Sequence, residues 1–376
     1  VAIDIHWIRD NDSLGQLCAQ WQQLPFVALD TEFMRVDTFY PIAALLQIGD
    51  GQRAYLIDPL TIDNWQPLAA LLENPAVVKV VHACSEDLEV LLRLTGSLPA
   101  PLFDTQLAAA YLNLGFSMGY SRLVQEVLGI DLPKGETRSD WLQRPLSETQ
   151  VSYAAEDAVH LAQVFTELRP RLSEDKYRWV LEDGAELVAN LRREVDPYEV
   201  YREAKLAWKL SRAQLAVLRS CVLARARGPC PQPAAQPYRA RACPVAPGQD
   251  PAGQPVGAGQ DRRHAPAYRA PGRRVPPRPD QAHRQRRPGS MAAAVPEPLP
   301  IEAAALLKRL KAVGQAQAER LGIAPEVMLR KKTLESLLKS GFPNGPYQLP
   351  DSLRGWRREL MGQALLDSLA TAGEQP

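Results

Sequence analysis

Five residues in this chain have types and spacings suited to hydrolytic chemistry: Asp30, Glu32, Asp87, Tyr153 and Asp157. The first two interrupt the apolar stretch FVALDTEF, 26–33. Side chains two apart on a strand share a face, so both carboxylates point the same way at the end of a buried strand. Such a pair is unfavourable unless something cationic lies between its members, and a pair of divalent ions is the simplest candidate. Alone, an acidic pair also reads as a solvated strand edge or a helix cap. Asp87 follows the apolar stretch VVKVVHA and falls in the first turn of a helix, where the dipole favours an acid in any case. In YAAED, Tyr153 and Asp157 stand four apart, so a helix puts hydroxyl and carboxylate on one face.

The elements that must position these groups can be read from pattern. Residues 11–24 are helical. Strands are expected over 26–33, 41–49 and 53–58, joined by short turns as an antiparallel meander. Residues 64–73 form a helix, 77–83 a strand, and helices follow over 86–94, 102–112, 120–128 and 147–168. Together they make a mixed α/β domain of about 170 residues. Helices are expected again at 172–195 and 203–227. The far end gives IEAAALLKRLKAVGQAQAERLG, PEVMLRKKTLESLLK and LRGWRRELMGQALLDSL.

Composition limits the alternatives. The 376 residues suggest two or three domains, and no apolar run is long enough to span a membrane. Five scattered cysteines, at 18, 84, 221, 230 and 243, include no C-x-x-C. That disfavours a disulfide framework or zinc site and fits a reducing cytoplasm. The chain begins at Val1, so a trimmed start or unusual start codon is expected. Net charge is +1, yet 228–290 holds eleven Arg and three Asp and carries +8, leaving −7 elsewhere. A body of that sign grips nucleic acid through local patches or metal ions. No nucleophilic Ser or Cys triad is visible.

The four acids with Tyr153 resemble the DEDD exonuclease superfamily in its tyrosine subclass. HACSEDLEVL, FDTQLAAAYL, KGETRSDWLQRPLS and YAAEDAVHL resemble the ribonuclease D family more specifically, over about 4–227 and again from about 295. The resemblance implies a ribonuclease-H-like mixed five-stranded sheet surrounded by helices. It implies Asp30, Glu32 and Asp157 around one divalent ion, Mg²⁺ or Mn²⁺, with Asp30 bridging to a second ion near Asp87. Hard oxygen ligands suit those metals. Two such ions can activate water and stabilise both the phosphoryl centre and the leaving oxygen. Tyr153, whose ordinary pKa near 10 makes it a poor base, would orient the attacking water. Phe33 and Met34 are candidates to stack on a terminal base, or else pack in the core. Arg138 and Trp141, in RSDW, are candidate backbone contacts, or a loop with a buried anchor. His82 is expected to be structural.

The C-terminal helices resemble the HRDC domain, with Arg330, Lys331, Lys332, Arg354, Arg357 and Arg358 offered to phosphates. The expected organisation is an exonuclease domain over 1–200, a first HRDC domain over 201–294, and a second over 295–376. The first is disrupted: 228–290 contains fourteen Pro and no Leu, Ile, Phe, Trp, Met, Lys or Glu. Such a tract cannot bury enough apolar surface to fold. It is either a basic linker or, preferably, a frame-shifted stretch, since one codon set for GQDRRHAP read one base later gives GKIEDMH.

The implied function is a metal-dependent 3′–5′ exoribonuclease acting on RNA with a free 3′ end, tRNA precursors included, as a cytoplasmic monomer. The alternatives are a DNA-directed 3′–5′ exonuclease and a non-catalytic RNA-binding scaffold. The catalytic domain is expected to fold alone, so that truncation after Arg227 spares cleavage of short strands.

Overall fold

The computed structural model describes residues 3–35, 40–132, 139–192, 198–227 and 293–370. Arg138 and the tract 228–290 lie outside the described residues. The strands are β1 (Asp4–Ile8), β2 (Phe26–Met34), β3 (Ile42–Gly49), β4 (Arg53–Ile57), β5 (Val78–Val81) and β6 (Leu102–Asp104). They form one six-stranded sheet of order β1-β4-β3-β2-β5-β6. The expected meander is present, with β2·β3 and β3·β4 antiparallel, while β1·β4, β2·β5 and β5·β6 are parallel.

The sheet has one strand more than the five implied by resemblance. Residues 102–112 split into β6 and helix α4 (Thr105–Tyr111), because Asp104 ends the strand and caps the helix, accepting from Gln106 N. Three residues are too few for a period-2 signal. Strand β1 is legible only as five alternating residues at an edge.

Helices cover both faces. Alternate residues of β2 divide between them: Val27 and Leu29 join a core with α1 (Asn11–Trp21), α2 (Gln66–Glu73) and α3 (Ser85–Thr95), while Ala28 faces the opposite core. That second side is covered by α4, α5 (Tyr120–Leu128), α6 (Glu148–Leu168) and α7 (Glu174–Arg192). Helix α6 begins with a capping box in which Ser147 and Gln150 satisfy each other's backbone. Its alanines let it lie close: a Cβ on Gly49 would come within 2.3 Å of the Ala158 carbonyl.

Helix α8 (Arg212–Arg227) starts later than its sequence suggests. Two short 3₁₀ turns, Val200–Glu203 and Ala207–Lys209, precede it, and Leu206 between them has φ +66°. The C-terminal helices are α9 (Ala304–Leu321), α10 (Pro325–Met328), α11 (Lys331–Lys339) and α12 (Gly355–Ala370).

These helices do not form a separate core. Leu310, Val327, Leu334, Trp356 and Leu365 belong to the same buried apolar cluster as Tyr111, Phe165 and Trp179. Ala324 N donates to Ala110 O at 2.8 Å, and Lys176 Nζ to Gly322 O at 2.9 Å. The expectation that the catalytic domain has a core of its own is therefore corrected. So is the assignment of Arg357 to phosphates, since its guanidinium is buried against Asp183. Arg330, Lys331, Lys332, Arg354 and Arg358 are exposed.

Candidate active site

Strand β2, the first turn of α3 and the middle of α6 converge on one cleft of about 850 Å³. Asp30, Glu32, Phe33, Met34, Tyr153 and Asp157 line it, together with Thr31, Arg35, His82, Glu86, Tyr120, Ser139, Asp140 and Leu161. Asp30, Glu32 and Asp157 each offer an oxygen within 4.8 Å of the others. The β2–β3 register slips between Glu32 and Phe33. A bulge there re-aims the following side chains, which brings Phe33 and Met34 to the cleft as well as the acids.

Asp87 stands beside this trio but outside it, accepting a hydrogen bond from Thr31 Oγ1 at 2.5 Å. Thr31 points to the opposite face of β2 from its two acidic neighbours, and so reaches α3. The α3 start is shaped by Ala83, at φ +50°, whose N–H donates to the buried Asp104 carboxylate at 3.1 Å.

The electrostatics follow from four acids in one place. Burial, then Asp87, Asp157 and Glu32, holds the Asp30 carboxyl well above the usual range. Burial with Asp157 and Asp87 pushes Glu32 up to about 8. Burial raises Asp157 to about 7 against the opposing hydrogen bond from Tyr153, and raises Asp87 to about 6 against that from Thr31. Burial and Asp157 also raise the Tyr153 hydroxyl. Among the described residues lining the cleft, Arg35 carries the one permanent positive charge, and it bridges to Glu86 at 3.5 Å and Glu89 at 3.1 Å. Three clustered, hard, anionic oxygen donors without a basic side chain among them are a donor set that fits a divalent cation.

Trp141 is 2% exposed and packs with Ala44, Leu45, Leu56 and Leu146, its ring 6.1 Å from that of Tyr153. Burial corrects the suggestion that it touches substrate; it supports Tyr153 from behind. His82, expected to be structural, lines the cleft as well; its Nδ1 meets Thr105 Oγ1 at 2.9 Å, and burial lowers its pKa.

Two site residues escape the sequence reading. Tyr120 lines the cleft and donates to the Asp157 carbonyl at 2.7 Å, tying α5 to α6 beneath the acid. Arg144 donates to both Asp58 oxygens at 2.7 Å and to the carbonyls of Ala44, Trp141 and Gln143. It thereby fixes the loop that brings Ser139 and Asp140 to the cleft. RPLS within the quoted motif held the signal for Arg144; no spacing connects Tyr120 to the acids.

Fold and cleft define a 3′–5′ exonuclease, and the 3′–5′ exonuclease family matches residues 5–173. The C-terminal HRDC domain of ribonuclease D matches residues 304–365. Ribonuclease D of Pseudomonas paraeruginosa is 58% identical over 376 residues, 99% of either chain. That of Musicola paradisiaca is 35% identical over 374 residues, covering 96% of this chain and 98% of the other. The crystal structure of Escherichia coli RNase D, an exoribonuclease involved in structured RNA processing, superposes with a TM-score of 0.73. It is 27% identical, covering 98% of this chain and 99% of the other. The chain belongs to the ribonuclease D family. It is a 3′–5′ exoribonuclease, and RNA is its substrate class. Among the described residues no helix is long and apolar enough to cross a membrane.

Proposed function

We propose that this enzyme removes nucleotides from RNA 3′ ends by two-metal-ion hydrolysis, with Asp30, Glu32, Asp87 and Asp157 holding Mg²⁺ or Mn²⁺. The observation that carries the proposal is the meeting of Asp30, Glu32 and Asp157 oxygens within 4.8 Å. Asp30, Glu32 and Asp157 would hold one ion, and Asp30 with Asp87 the second. When bound, the ions supply an activated water and stabilise charge on the phosphoryl group and leaving oxygen.

The chain's own residues do the rest. Tyr153, hydrogen-bonded to Asp157 and with its pKa raised, stays protonated and orients the attacking water rather than removing its proton. Thr31 and Tyr120 hold Asp87 and the α6 backbone in place. Phe33 and Met34 offer apolar surface to a terminal base from the cleft wall. Arg138 is a candidate backbone contact. The substrates include tRNA precursors, and the enzyme acts as a cytoplasmic monomer. Its division is an exonuclease unit over 1–200, a first HRDC unit over 201–294 disrupted by 228–290, and a second over 295–376.

A metal-titrated assay on matched RNA and DNA oligonucleotides tests the proposal. Cleavage should need Mg²⁺ or Mn²⁺, stop with chelator, prefer RNA, and vanish in Asp30→Ala, Glu32→Ala, Asp87→Ala and Asp157→Ala. Near-normal turnover by any two of these variants would defeat the assignment.

A further inference from the structure

Gln47 lies on β3 directly across the ladder from Asp30. Opposed residues on antiparallel strands point to the same face, their Cβ atoms about 4.5–5.5 Å apart. The register is regular at this pair, since the bulge falls later, between Glu32 and Phe33. Gln47 is 0% exposed, and neither its Nε2 nor its Oε1 has a hydrogen-bond partner. A buried, unpaired carboxamide is unfavourable, and its surroundings give it no packing purpose. On the same face of β3 stand Leu45 and Gly49, and α6 presents Ala154 and Ala158 to this region. Leu or Met would fill such a place without a penalty.

The other acids show what the amide is suited to do. Asp157 is held by the Tyr153 hydroxyl, and Asp87 by the Thr31 hydroxyl. Among the described residues neither Asp30 nor Glu32 has such a side-chain partner, and of the two it is Asp30 that stands across the ladder from Gln47; a backbone hydrogen bond from Thr31 reaches Asp30. Carboxylates that ligate metals are themselves oriented by outer hydrogen bonds. Gln47 offers two N–H donors on the correct face.

We propose that Gln47 is a positioning residue: when cations occupy the cleft, its unpaired Nε2–H turns to the Asp30 carboxylate across the ladder and sets that carboxylate's orientation toward them. The inference rests on the divalent-ion proposal above.

The full chain can be tested with Mn²⁺ alone, by calorimetry or electron paramagnetic resonance. Gln47→Met keeps the side-chain volume and removes the donor. Its Mn²⁺ affinity should fall about 10–100-fold. Its Tm without metal should equal or exceed that of wild type, and kcat should fall while KM for a short RNA holds. Unchanged Mn²⁺ affinity, or a lowered Tm with unchanged affinity, overturns the inference alone and leaves a packing role. Gln47→Leu serves the same comparison if Gln47→Met folds poorly, and loss of fold in both also overturns it. A wild-type chain without measurable Mn²⁺ binding overturns the divalent-ion proposal and this inference with it.

Discussion

Arg357 in α12 grips Asp183 in α7 with two hydrogen bonds, Nη1 to Oδ1 at 2.5 Å and Nη2 to Oδ2 at 2.7 Å. The same carboxylate accepts from the Tyr111 hydroxyl at 2.8 Å. Arg357 Nε donates to the Val327 carbonyl at 2.8 Å. Beside this pair, Trp356 stacks on Trp179, ring centroids 4.7 Å apart. One buried ion pair thus joins the C-terminal helices to α4 and α7. Gly184, next to Asp183, lets α7 approach β6 so closely that a Cβ there would lie 2.3 Å from the Leu102 carbonyl.

Removing one member of such a pair leaves an uncompensated buried charge. Arg357→Ala should destabilise the protein by about 3–5 kcal/mol, measured by urea unfolding. The double variant Arg357→Met/Asp183→Leu should recover much of that loss, because replacing both partners removes the stranded charge. A single variant within about 0.5 kcal/mol of wild type would show that the pair is solvated, as surface bridges are.

Truncation after Arg227 follows the same logic. It uncovers Tyr111, Trp179 and Asp183 together, and the apolar cluster they share with α9–α12. The shortened chain should melt at lower temperature, associate in sedimentation experiments, and lose cleavage of even a short RNA strand in proportion to its lost fold. A monomeric truncated chain with wild-type Tm and turnover would restore the separable catalytic unit suggested by the sequence.

What sequence could and could not reveal has a physical pattern. The D-x-E pair, Asp87 and Tyr153/Asp157 were legible because strand and helix periods fix which side chains share a face. Helix 120–128 was legible from end to end, its stop set by Gly129 at φ +70°. The Arg357–Asp183 pair was not legible: its members are 174 residues apart, and an arginine in an amphipathic helix looks the same whether solvated or buried. Trp141 and Arg144 sat in a quoted motif, yet only tertiary packing decides that both face inward.

The acid cluster makes a signed prediction for pH. The Asp30, Glu32, Asp87 and Asp157 carboxyls all titrate higher when folded, with Glu32 at about 8 and Asp157 at about 7. The folded state therefore keeps protons that the unfolded state releases. Their contribution to stability is complete below the ordinary carboxylate range and is lost progressively as pH rises from that range through the folded values of about 6 to 8. In chelator, Tm should fall across that window; a few millimolar Mg²⁺ should remove the fall. Asp30→Asn should raise the chelator Tm at pH 8. Parallel Tm profiles with and without metal would refute the coupling.

Tyr153→Phe separates orientation from metal binding. The ring stays against Trp141, so the fold and Mn²⁺ affinity should hold. Losing the hydroxyl that positions water should slow kcat on the order of tenfold to a thousandfold, with little change in KM. Wild-type turnover in single-turnover kinetics would remove Tyr153 from the mechanism.

The final prediction concerns Arg144 and Asp58, 86 residues apart and joined by two 2.7 Å bonds. Asp58 is 3% exposed while the Arg144 side chain is 25% exposed, so the pair is half-buried. The same guanidinium holds the Ala44 carbonyl on β3 and the Trp141 carbonyl in the loop, linking the sheet to the wall behind Tyr153. Gln150 extends the link, donating to Ser139 Oγ at 3.1 Å and to the Asp140 carbonyl at 3.2 Å. Arg144→Lys keeps the charge but loses the bidentate fork. A shift of about 1 Å in the loop can lower rates on the order of 10²-fold. Arg144→Lys should therefore reduce kcat well beyond its effect on Tm, with Mn²⁺ affinity retained because no metal-holding acid is touched. In a double-mutant cycle, Arg144→Ala and Asp58→Ala should be strongly non-additive in both Tm and kcat. Additive effects would mean that the two residues act separately and that the loop is positioned by packing around Trp141 alone.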